Sequence, residues 1–136
     1  MTKYAALIRG IGPGDPNMAN DKLRGVLEAL GFSGVKSVIS SGNIIFESEI
    51  TDVGKLESII EAAWPKHLGF ERSTIVKSQE QFQKLLDSDP FNGAPHGESS
   101  YLLITFFKKP TKLGFDLPYQ PTGKPYTVIG YANNAM

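Results

Sequence analysis

Val35-Lys36-Ser37-Val38-Ile39-Ser40-Ser41-Gly42-Asn43-Ile44-Ile45-Phe46 sets two runs rich in β-branched residues on either side of a serine-glycine reversal. Glycine at position 42 supplies the positive φ that a tight turn demands, so the stretch predicts a β-hairpin with strands over 35–39 and 43–46. The hairpin decides the fold because a helix flanks it on each side. Upstream, Leu23, Val26, Leu27 and Leu30 fall at i, i+3, i+4 and i+7, one apolar stripe that Asn17 or Asn20 can cap and Gly31 can end. Downstream, Leu56, Ile59, Ile60, Ala63 and Trp64 repeat the stripe, with Thr51 or Asp52 as cap and Pro65 marking a stop or a kink.

Further outward, residues 3–9 (KYAALIR) form a nearly continuous apolar run, which predicts a strand buried on both faces. Residues 73–77 (STIVK) read as a fourth strand, and Ser78 with Gln81 makes a capping box for a short third helix bearing Phe82, Leu85 and Leu86. Residues 101–107 (YLLITFF) are expected to be the most hydrophobic strand. The resulting class is α/β in the broad sense (α+β): a ferredoxin-like β-α-β-β-α-β core, extended by α-β and a loose C-terminal strand. This core spans residues 1–107. Residues 108–136 carry four prolines and four lysines against one aspartate, with one short strand over 126–131, and read as the opening of a second part cut short.

Composition narrows the function classes. No apolar stretch approaches the ~20 residues of a membrane-spanning helix. The absence of cysteine excludes disulfides and any cysteine-ligated zinc or iron–sulfur site, and no cofactor or metal motif is present. Fourteen basic residues against 14 acidic ones leave no long-range field for a polyanion, which disfavours a nucleic-acid partner. The β-α-β-β-α-β order is shared with RNA-binding sheets, but Phe46 lacks the basic-glycine-aromatic setting of their stacking residues and reads as core. Residues 1–9 have neither the apolar length nor the cleavage pattern of a leader, so the expected compartment is the cytoplasm.

Chain direction brings scattered polar residues together. In a right-handed split β-α-β unit the first two strands share a heading and the next two oppose it. Arg9, Asn17, Ser41, Asn43, His67, Arg72 and His96 are then expected at one edge. Arg9-Gly10-Ile11-Gly12-Pro13-Gly14 ahead of a helix combines a guanidinium, glycine amides and a helix N-terminus, the parts of an anion site. The expected ligand-binding residues are Arg9, Gly10, Gly12, Gly14, Asn17, Ser41, Asn43 and Arg72. The spacing fits neither the dinucleotide fingerprint nor the P-loop, so a simple chain reversal with Arg9 paired to a carboxylate is the competing reading. His96 lies in a loop that could close over a site and is the candidate for acid–base chemistry, whereas His67 suits a helix end. No catalytic triad is legible, and no enzyme activity is assigned.

Tyr4-Ala5-Ala6-Leu7-Ile8-Arg9-Gly10-Ile11, Leu23-Arg24, Leu30-Gly31-Phe32, Ile39-Ser40-Ser41-Gly42-Asn43-Ile44-Ile45-Phe46 and Asp89-Pro90-Phe91 together resemble the bacterial domain-of-unknown-function 1697 family. The resemblance covers nearly all of residues 3–107. Gly12 and Pro13 stand where that family carries asparagine and valine, and Asp15 stands in place of its second glycine. Its members are usually longer, with an arginine-rich, tryptophan-bearing C-terminal motif not found here. The resemblance implies an α/β fold with ferredoxin-like elements and no established activity. Two functions are therefore carried forward: a module binding a small anionic metabolite or nucleotide, and an interaction module that pairs through an exposed sheet edge with another protein or as a homo-oligomer.

Overall fold

A computed structural model describes residues 1–12, 14–39, 42–91, 102–108, 114–124, 126–130 and 136. The elements run β1 (Thr2–Ile8), α1 (Asn20–Ala29), β2 (Ser33–Ser37), β3 (Asn43–Ser48), α2 (Val53–Leu68), β4 (Thr74–Ser78) and α3 (Gln79–Asp87), with a 3-10 turn at Pro16–Met18 ahead of α1. The four strands form one sheet in the order β2-β3-β1-β4. Every pairing is antiparallel, so β1 and β2 share a heading and β3 and β4 oppose it. The architecture is mixed α+β, as the periodicities require. Two compact units divide the chain, residues 1–80 and residues 81–136. This boundary falls well before the change of composition at 107.

Residues 1–80 build their core on one face of the sheet. Tyr4, Ala6 and Ile8 of β1 alternate inward beside Ile44, Phe46 and Val76, and the stripes of α1 (Leu23, Val26, Leu27) and α2 (Leu56, Ile60, Ala63, Trp64) close over them. Phe46 is fully buried, stacked between Phe32 at 4.8 Å and Tyr4 at 5.5 Å. Burial of such a ring contributes about 1.5–3 kcal/mol. The expectation that β1 is buried on both faces is corrected: Ala5 and Leu7 are only half-buried, and Ile45 of β3 is exposed. Antiparallel neighbours need no crossover helix on the second face, and within residues 1–80 both α1 and α2 pack on the same side.

Helix ends follow local chemistry, with one departure from expectation, at the start of α1. α1 starts at Ala19 without a side-chain cap, because the Asn20 side chain donates instead to the Ile39 carbonyl at 2.9 Å. It ends at Gly31 (φ 90°), where Gly31 N–H reaches Glu28 and Phe32 N–H reaches Leu27, a Schellman pair. Asp52 caps α2 by accepting from Lys55 N–H at 3.2 Å. α2 then passes through Pro65 and ends at Gly69 (φ 78°). Proline removes one backbone bond there, but buried Trp64 and half-buried Leu68 hold the last turn against the core. The hairpin also differs, since β2 lies two residues earlier than the apolar run suggests and its register shifts between Ser33 and Lys36.

In residues 81–136, Phe82 meets Phe106 edge-on at 5.5 Å and Phe115 stacks on Tyr119 at 4.0 Å. The expected strand over 101–107 is not a ladder over its described residues. Thr105 exchanges two backbone hydrogen bonds with Met136, at 2.7 and 2.9 Å, and the run continues no further as a strand. Over its described residues, 126–130, the expected loose strand is reduced to a bridge between Tyr119 and Val128. Hydrophobicity makes a strand possible, but only a neighbouring backbone in register makes one.

Candidate functional site

Three segments distant in sequence meet at the end of β1. Ile8 N–H donates to the Gly42 carbonyl and Arg9 N–H donates to the Ser73 carbonyl, both at 2.9 Å. The glycine loop, the hairpin connection and the lead into β4 therefore share one edge, as strand direction predicts. Gly42 makes the convergence possible. Its φ is 84°, and a Cβ there would lie 2.7 Å from Ile11 Cγ1 and 3.1 Å from the Ile8 carbonyl oxygen. Only glycine accommodates both the conformation and the contact.

Arg72 is the side chain this edge orders most firmly. After Gly69, the chain runs through Phe70-Glu71-Arg72-Ser73 into β4, and both ends of that lead are pinned. The buried indole of Trp64 donates to Thr74 Oγ1 at 2.9 Å and stacks on Phe70 at 5.8 Å. Residues two apart on extended backbone share a side. Accordingly the Arg72 guanidinium carbon lies 5.9 Å from the centre of the Phe70 ring. Arg72 Nε donates to the Gly10 carbonyl at 3.2 Å and Nη1 donates to the Glu71 carbonyl at 2.7 Å. These acceptors are neutral, so the side chain is oriented while its charge stays unneutralised by the bonds that orient it.

The remaining expected residues are distributed unequally. Arg9 is exposed, and among the described residues no carboxylate or other group pairs with its guanidinium. Gly10 takes the positive φ of 71° that brings its carbonyl to Arg72. Gly12 N–H is committed to Met18 Sδ at 3.2 Å, and its carbonyl accepts from Asp15 N–H at 3.0 Å. Asn17 N–H donates to Asp15 Oδ1 at 2.9 Å, so the loop uses several of its own amides to hold its shape. Gly14 and the Asn17 side chain are exposed, and Asn43 is half-buried with its carbonyl accepting from Val38 N–H. Ser41 and His96 lie outside the described residues, and His67 is exposed in the last turn of α2.

Sequence reasoning missed the neighbours of Arg72. Phe70, its platform, carries a readable signal in the i, i+2 spacing on extended backbone. Glu61, Ala62, Pro65, Glu71, Arg72 and Ser73 line an open hollow of about 500 Å³ beside the edge. That hollow joins the C-terminal half of α2 to the lead into β4, and no motif marks it. Another unanticipated group is Glu57, whose buried carboxylate Oε2 accepts from Val76 N–H at 3.0 Å. Lys77 is also buried. Desolvation holds its ammonium below the ordinary lysine range, and the charge of Glu57 opposes that shift.

A family model described as a protein of unknown function (DUF1697) matches residues 1–116. The chain belongs to this family. Among solved structures, this DUF1697 chain is similar to the conserved bacterial protein SP0830 from Streptococcus pneumoniae, with 37% sequence identity and a TM-score of 0.56. The likeness covers 64% of this chain and 48% of that one, so the DUF1697 chain spans about half the length of its structural relative. No curated protein matches it. No helix among the described residues is long and apolar enough to cross a membrane.

Proposed function

We propose that this DUF1697 chain is a cytoplasmic binding module for a small anionic metabolite or nucleotide, held by Arg72 with Arg9 at the edge of a ferredoxin-like β-α-β-β-α-β core. The observation that carries this reading is the anchoring of Arg72 by the Gly10 and Glu71 carbonyls and the Phe70 ring. An arginine ordered by neutral groups is prepared for an anion, because its rotamer entropy is already lost while its charge is retained. Sheet-edge pairing is the weaker reading. β2 is five residues long, carries Lys36 and has an irregular register, while the Val76 N–H of the opposite edge strand, β4, is capped by Glu57. These are the features by which edges avoid partners.

The reading is tested by thermal-shift titration of the full chain with inorganic phosphate, citrate and adenosine diphosphate. A ligand of the folded state raises the midpoint with its free concentration. Arg72→Gln should abolish the rise and Arg72→Lys should restore part of it. Equal shifts in wild type and Arg72→Gln, or no shift with any anion, would reject the proposal.

A further inference from the structure

We infer that Arg72 reads a nucleobase: the flat base of a nucleoside monophosphate stacks on the guanidinium face turned away from Phe70, while the phosphate meets N–H groups at the guanidinium edge. The inference rests on the anion reading of Arg72 and narrows its ligand from anions at large to one that carries a planar ring. Its ground is a ladder of flat groups. The Trp64 indole, fully buried and tied to Thr74 Oγ1 at 2.9 Å, stacks on Phe70 with 5.8 Å between ring centres and 21° between planes. Phe70 in turn lies under the Arg72 guanidinium, whose central carbon stands 5.9 Å from the ring centre. A guanidinium has a second face, and among the described residues Arg72 has no second ring and no carboxylate as a partner.

The chemistry allots each part of such a ligand a place. A guanidinium is planar and delocalised, so bases stack on it as they do on aromatic side chains, and a good platform adds about tenfold to affinity. Order matters as much as planarity. The Gly10 and Glu71 carbonyls hold Nε and Nη1, so the plane is set before a ligand arrives and little side-chain freedom is lost on binding. A guanidinium has five N–H donors, and those two bonds leave three of them for phosphate oxygens. Arg9, whose backbone N–H is bonded to Ser73, next in sequence to Arg72, adds a second positive charge to the same edge. Arg72 is half-buried and borders the open hollow beside α2, so the side chain is within reach of a ligand from solvent. The stacked plane adds affinity only for a ligand that is itself flat.

The experiment is an amide-resolved NMR titration of the full chain with adenosine monophosphate, ribose 5-phosphate and adenosine, which present ring and anion together, only the anion and only the ring. Adenosine monophosphate should give saturable shifts at Phe70, Glu71 and Arg72, and removal of either the base or the phosphate should weaken binding about tenfold. Arg72→Lys keeps the charge and loses the plane. With its fold checked by the rest of the spectrum, this variant should bring the affinities for adenosine monophosphate and ribose 5-phosphate within about twofold of one another. Ribose 5-phosphate binding as tightly as adenosine monophosphate in the wild type would overturn the stacking inference and leave the anion reading standing. An advantage of adenosine monophosphate that persists undiminished in Arg72→Lys would overturn it too, because the base would then rest elsewhere. The absence of saturable shifts with adenosine monophosphate overturns it as well. Inorganic phosphate or citrate binding that disappears in Arg72→Gln would then show that the broader reading survives alone, and silence from every ligand would remove both.

Discussion

Arg72 Nε donates a hydrogen bond to the Gly10 carbonyl across 3.2 Å, joining residues 62 positions apart. The bond depends on the glycine. Its φ is 71°, and a Cβ at this position would stand 3.3 Å from Arg72 Nε. Gly10→Ala should therefore cost about 1–2 kcal/mol of stability through the left-handed backbone. It should also weaken any anion bound by Arg72 about tenfold, the worth of one charge-assisted hydrogen bond. Chemical denaturation and the phosphate titration measure the two effects, and an unchanged anion affinity would detach Arg72 from the site.

Gly42 is under a harsher constraint, because the atom an added Cβ would approach at 3.1 Å is backbone and cannot rotate away. Gly42→Ala should destabilise the fold by about 2–3 kcal/mol. Gly12 has open space and no positive φ, so Gly12→Ala should change stability by less than about 0.5 kcal/mol. Similar denaturation midpoints for the two variants would contradict this account of the hairpin contact.

Thr74 accepts the indole N–H of Trp64 where both side chains are fully buried. Thr74→Val keeps the shape and removes the acceptor, so the indole N–H is left without its partner at a cost of about 1–3 kcal/mol. Because this bond fixes the lead that carries Arg72, the variant should also broaden the Phe70, Glu71 and Arg72 amide resonances. Sharp, unshifted signals there would show that the lead is held by other means.

Glu57→Leu should destabilise the sheet by about 1–3 kcal/mol, since the Val76 amide would lose its acceptor in a buried setting. Glu57→Gln keeps an acceptor oxygen and should retain most of the stability. Hydrogen exchange at Val76 gives a local reading: the Leu variant should exchange much faster, and equal protection would deny the carboxylate its capping role.

Lys77 sets a pH dependence whose sign follows from its burial. Its folded pKa lies below the ordinary 10.5, so between the two values the unfolded chain holds more protons and stability rises with pH. Below that window both states are protonated and the full burial penalty applies. The stability of wild type relative to Lys77→Met should therefore increase as pH climbs toward 10.5. A flat or falling difference would mean that Lys77 is no less basic folded than unfolded.

What could be read in advance was local. The stripes Leu23, Val26, Leu27, Leu30 and Leu56, Ile60, Ala63, Trp64 marked two helices, and Gly42 marked the reversal, because such patterns depend on spacing within a few residues. Strand direction then placed Arg9 and Gly42 at one edge, which the Ile8–Gly42 and Arg9–Ser73 bonds show. Neighbours drawn from elsewhere were not legible. Residues 101–107 are apolar enough for a strand, yet they needed a partner ladder that their own composition could not promise.

The amino-acid order by itself determined the succession of helices and strands from β1 to α3 and the demand for glycine at position 42, since propensity and periodicity act at short range. Only the tertiary structure decided that α1 and α2 pack on the same face of the sheet, that α2 continues past Pro65, and that Arg72 is oriented by Gly10 and Phe70. Those outcomes turn on which distant surfaces meet. The free energy of a contact between residues 62 positions apart has no counterpart in the spacing of either one.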